Sequence, residues 1–242
     1  MGFVVLVVIY LAIIQGGALL LTIGRDVGYS DMSTIDLLWR TLLVPVGASL
    51  VLVYAVVAWL GWWRPVWIEP KPVARWVIIV PILMAVSILV VIDYGALVAK
   101  GFAYSSLLLL GTLMVGFAEE GMYRGLGVTV FRRRGFTEGK VALWSTVIFG
   151  VSHASNLITE GPSAFLQVIA TIIAGYFFYL IRRRSGGLLL PALLHALWDF
   201  SLLSGQVIPG EVYRLSLVAI LTMVVLAIIV FARRKHIEPT AS

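Results

Sequence analysis

No cysteine occurs among the 242 residues, which excludes disulfides, thiolate-bound zinc and a cysteine nucleophile. Charge is equally scarce, at 12% of the chain, while 61% of the residues are hydrophobic. A water-soluble domain of that composition would expose far too much apolar surface, so the bilayer is the expected solvent. The N-terminus, Met1-Gly2-Phe3-Val4, lacks a basic region and a small-residue cleavage site and reads as a retained span. Leu6 breaks the myristoylation pattern.

The net charge of +6 does not call for a nucleic-acid partner, because the cations sit in short runs between apolar stretches. Those stretches, each near the roughly 20 residues that cross about 30 Å of hydrocarbon, fall near 3–23, 37–60, 76–99, 103–130, 141–157, 163–181, 187–205 and 212–232. The expected architecture is all-α, a polytopic membrane bundle of about eight helices forming one domain over residues 1–242. Arg64, Lys71, Arg75, Arg132, Arg133, Arg134, Lys140, Arg182, Arg183, Arg184, Arg233, Arg234 and Lys235 flank one set of span ends, against only Arg25, Lys100 and Arg214 at the other. This places both termini and the basic runs in the cytoplasm, with Trp59, Trp62, Trp63 and Trp67 as an interfacial belt.

An ionisable side chain at mid-bilayer costs at least about 2.5 kcal/mol, so each needs a partner or a task. The candidates are Glu119, Glu120 and Arg124 in the fourth span, His153 in the fifth, and His195 and Asp199 in the seventh. Asp93 lies near a span end and reads as interfacial, and His236, Glu138 and Glu160 as solvated. Glu119 stands 13 residues before Arg132, His153 stands 13 after Lys140, and His195 stands 11 after Arg184. At about 1.5 Å per residue the three lie roughly 17–20 Å from the basic face, so one acid and two imidazoles from separate helices share a depth.

On an α-helix Glu120 aligns with Arg124 and Glu119 with Tyr123. The expected split is a buried Glu120–Arg124 ion pair that fixes the helix and a free Glu119 that serves as general base. Asp199 falls one turn beyond His195, where it can orient the ring, and Pro191 can open the helix below it. Gly121 and Gly125 allow another helix to approach closely.

Three motifs resemble those of the CPBP intramembrane proteases, the family of CAAX prenyl endopeptidases and bacterial bacteriocin-processing or immunity proteins. They are Glu119-Glu120-Gly121-Met122-Tyr123-Arg124, Phe149-Gly150-Val151-Ser152-His153 and His195-Ala196-Leu197-Trp198-Asp199, in order on three spans. The resemblance covers roughly residues 103–205 and implies an intramembrane endopeptidase of the bacterial cytoplasmic membrane that needs no cofactor. It further implies that Glu119 and His153 activate the attacking water while His195 and position 199 stabilise the oxyanion. Its partners would be membrane lipid and a peptide or protein substrate, lipid-modified or not. Position 199 is Asp where the eukaryotic CAAX-processing branch has Asn, which favours the bacterial branch and weakens any transfer of prenylated substrates.

Rival readings use the same residues. Glu119, His153 and His195 would make a His₂Glu zinc site with an open position for water, although the His-Glu-x-x-His helix motif is absent. Ser152 with His195 resembles a rhomboid-type serine–histidine pair, yet it leaves Glu119, Glu120, Arg124 and His153 idle, and consecutive helix residues should point apart. A non-catalytic immunity- or transport-type protein would also keep intramembrane acids, but no repeated halves are evident.

Overall fold

The computed structural model describes residues 2–25, 31–156, 161 and 164–239. Among these, every main element is a helix. We number them α1 (Gly2–Thr22), α2 (Ile35–Leu60), α3 (Arg75–Val91), α4 (Tyr94–Lys100), α5 (Phe102–Arg133), α6 (Glu138–Ser152), α7 (Ala164–Ser185), α8 (Leu189–Ser204) and α9 (Ser216–Ala232). A short helix, Trp63–Trp67, links α2 to α3.

An all-α membrane bundle follows directly from where the apolar surface lies. Large apolar side chains such as Leu20, Val98, Phe102, Leu166 and Phe231 point outward, a surface that only lipid can cover favourably. Among the described residues, four helices (α1, α2, α5 and α7) are individually long and apolar enough to cross a membrane. The pair α3 and α4 passes that test only together and bends by 54° at the break. There Asp93 serves as a helix cap, its Oδ1 accepting from Ala96 N at 2.9 Å. The remaining stretches expected to span form α6, α8 and α9, of 15, 16 and 17 residues. At 1.5 Å per residue these reach about 22–26 Å, short of the full hydrocarbon thickness.

Helix α5 packs most extensively against α8, and α6 against α7. Gly116 explains the first contact: a Cβ there would collide with the carbonyl of Ala192 and the amide of Ala196, so only glycine lets the two backbones close. Three residues later comes Glu119, and the approach sets both acids against His195. Two buried apolar clusters flank this contact. One, with Leu108, Phe178 and Trp198, runs through α3, α5, α7, α8 and α9, and the other, with Tyr10, Val53, Met122 and Phe149, joins α1, α2, α5 and α6.

Two local departures from α geometry matter. Residues Glu120–Gly127 of α5 are π-helical, and α6 ends at Ser152 by tightening into a 3₁₀ turn, His153–Asn156. Regular α-helix through both motifs was the expectation. The π segment holds Gly121, Gly125 and Gly127, which cost the helix propensity and leave room for neighbours. Gly121 faces Val53 and Tyr54 of α2, and Gly125 faces Val66 of the linking helix.

The basic face is less solvated than a topology signal suggests. Arg182 and Arg183 are buried. Glu69 Oε2 accepts from Arg132 Nη1 and Arg182 Nε, both at 2.9 Å. Glu138, expected in solvent, instead meets Arg132, Lys71 and the Tyr179 hydroxyl. Its helix begins at that residue, which turns the side chain back onto α5 and α7. His236 is exposed, as expected, and Glu160 lies outside the described residues.

Candidate active site between α5, α6 and α8

His195 is the hub. Its Nδ1 lies 3.0 Å from Glu120 Oε1, and its Nε2 lies 3.6 Å from Glu119 Oε2 and 3.5 Å from Asp199 Oδ2. The first is a hydrogen bond in which the ring donates, because an ionised carboxylate oxygen only accepts. The other two are longer than good hydrogen bonds, so Glu119 and Asp199 face the ring without being tied to it. Phe178 stacks on the imidazole with centroids 4.5 Å apart, and Phe149 meets it edge-on at 5.8 Å.

Glu120 and Arg124 are fully buried, with Arg124 Nη1 3.1 Å from the same Oε1 that takes the His195 proton. Among the described residues, Arg124 Nε and Nη2 and Glu120 Oε2 find no hydrogen-bond partner. The guanidinium instead lies over the Phe149 ring at 4.1 Å, a cation–π contact that offsets part of its desolvation. Gly175 of α7 makes the space, since a Cβ there would press on Arg124 Nη2 and Phe149.

Glu119 has a different environment. Its side chain is 14% exposed, and it lines a cavity of about 250 Å³ together with Tyr10, Tyr123, Ser152 and His153. The cavity lies between α1, α2, α5 and α6, and Glu120 does not reach it. His153 Nδ1 lies 3.0 Å from the Phe149 carbonyl, which can only accept, so Nδ1 carries a proton. In the neutral ring Nε2 is then left as the acceptor.

Phe149, four residues before His153, touches His153, His195, Tyr123 and Arg124 at once. An aromatic ring is needed at that place because it packs two imidazoles and shields a guanidinium. Ser152 also lines the cavity, although consecutive helix residues should point apart. The reason is the 3₁₀ turn that begins at His153. The Ser152 hydroxyl donates to the Ile148 carbonyl at 2.8 Å.

Sequence reasoning overlooked Tyr10, Glu69 and Arg182. Arg182 donates to the carbonyls of Arg124 and Val66, and so ties the π segment to the linking helix. It sat inside a run of three arginines that topology already explained. Tyr10 carried one signal, a hydroxyl in a span whose other polar side chains are Gln15 and Thr22.

Among the described residues no three His, Asp or Glu side chains are disposed to hold a metal ion.

No curated protein matches the chain. Residues 101–201 match the family described as type II CAAX prenyl endopeptidase Rce1-like, and that stretch contains Glu119, Glu120, Arg124, His153, His195 and Asp199. That segment carries all three motifs and, through it, the chain is similar to the CAAX-type proteases.

Proposed function

We propose that this protein is an intramembrane endopeptidase in which Glu119 is the general base that activates water. The observation that carries the reading is the division of the two acids: Glu120 is committed to Arg124 and His195, while Glu119 Oε2 is unpartnered and its side chain lines the cavity. Water in the cavity meets two acceptors, Glu119 and the free Nε2 of His153. As its oxygen attacks the peptide carbonyl carbon, Glu119 takes a proton and then returns it to the leaving amine. In this reading the doubly protonated His195, its Nδ1–H held by Glu120, donates from Nε2 to the developing oxyanion, and Asp199 balances the ring's charge from 3.5 Å, since an ionised carboxylate cannot itself donate.

Low dielectric strengthens each of these contacts and requires that water and substrate reach the cavity along a polar path. Gln15, Ser155, Asn156 and Gln167 supply polar side chains at its wall. The substrate is a membrane-associated peptide or protein, cut without metal. We place the protein in a bacterial cytoplasmic membrane, crossing it about eight times with both termini inside.

The test uses Glu119→Ala, His153→Ala and His195→Ala proteins that remain folded in detergent. Each should lose cleavage of the protein's membrane substrates, and undiminished cleavage in all three would end the protease reading.

A further inference from the structure

The Tyr10 hydroxyl is out of place for a lipid-spanning helix. Tyr10 is 1% exposed, and among the described residues its buried oxygen has no partner in good hydrogen-bond geometry. A buried polar group in that condition is destabilising unless something it binds makes up for it. Ser49 lies close enough to interact with it, while its own proton goes to the Val46 carbonyl at 2.8 Å. The Tyr10 ring is held edge-on against Tyr123 with centroids 6.3 Å apart, so its direction is fixed by packing. Both tyrosines line the cavity that receives Glu119 and His153.

The chemistry of that cavity lacks one thing. Glu119 and the free nitrogen of His153 are both acceptors, suited to water. A peptide carbonyl that gains negative charge needs donors, and Asp199, outside the lining of this cavity, is an acid that cannot supply one while ionised. We infer that Tyr10, on the first helix and outside all three motifs, donates its hydroxyl hydrogen bond to the carbonyl oxygen of the scissile peptide, strengthening as that oxygen becomes the oxyanion. No proton leaves the phenol: water adds to the carbon, Glu119 takes the water proton, and Tyr10 only stabilises the charged oxygen until the C–N bond breaks. This rests on the protease reading above and extends the site to a helix beyond the matched segment.

The experiment compares Tyr10→Phe with wild type and Glu119→Gln. Protein termini that appear in membranes with wild type and not with Glu119→Gln define a cleavage site, and a synthetic peptide spanning it is then assayed with purified proteins in detergent. Tyr10→Phe should lower kcat by about 10²–10³-fold with KM little changed, as expected for loss of one oxyanion donor. Its Tm should stay level or rise, because the variant deletes only an unsatisfied buried hydroxyl and keeps the ring. An unchanged kcat overturns the inference while leaving the protease reading intact. So does a fall in Tm with normal kcat per folded molecule, which would make the residue structural. If wild type yields no termini beyond those of Glu119→Gln, both fall together.

Discussion

At Arg124 a guanidinium sits with no solvent exposure, one carboxylate oxygen and two phenylalanine faces for company. Its charge is tolerable only while Glu120 stays ionised beside it, and Glu120 in turn holds His195 by the same oxygen. One carboxylate oxygen therefore couples two motifs. Removing one member of such a pair strands the other, which typically costs about 3–5 kcal/mol. Arg124→Met should accordingly lower the thermal unfolding temperature in detergent sharply, well beyond the effect of a surface arginine such as Arg134. Glu119 carries no such structural burden, since the contact of its Oε2 with His195 Nε2, at 3.6 Å, is not a formed hydrogen bond.

Among the elements, α5 and α8 do the positioning, and the side chain missing at Gly116 is what lets them meet. Gly116→Val would force its methyl groups into the Ala192 carbonyl and the Ala196 amide. Overpacking of this kind costs about 1–3 kcal/mol, and here it also moves His195 from the acids, so activity should fall further than stability. The check is to measure cleavage and unfolding temperature on the same preparation. The convergence of Glu119, His153 and His195 was legible in the sequence, because the rise per residue of a helix converts spacing from a basic anchor into distance. Motif order and the Glu120–Arg124 pair were legible for the same reason. Facing was less so. The π segment after Glu119 and the 3₁₀ turn at His153 alter the rotation between neighbours, and periodicity assumes that rotation constant. Tyr10 and Arg182 escaped because their roles come from contacts with segments more than 50 residues away, to which no local pattern points.

Across the whole molecule, the bundle is tied at its basic end by an ionic layer and left apolar around its waist. Glu69, Glu138, Arg132 and Arg182 join the linking helix, α5, α6 and α7 there. Partial burial pushes the Glu138 carboxyl up, but hydrogen bonds from Arg132, Tyr179 and Lys71 outweigh it and bring it down to about 2. In the unfolded chain the same group titrates near about 4.3. A carboxylate that is more acidic in the fold stabilises it fully above the unfolded value, and that stabilisation is lost as pH falls toward the folded one. The unfolding temperature should thus lose the Glu138 contribution between about pH 4.3 and pH 2, and Glu138→Gln should show a shallower fall across that window.

The central claim is that the two adjacent acids have separate tasks. It is tested most directly by following new protein termini in membranes holding wild type, Glu119→Gln or Glu120→Gln protein, with the unfolding temperature of each measured alongside. General-base loss predicts that Glu119→Gln cuts about 10²–10⁴-fold more slowly while melting near wild type, and that Glu120→Gln melts markedly lower. Full cleavage by Glu119→Gln, with cleavage lost in a stably folded Glu120→Gln, would contradict the account and exchange the two roles.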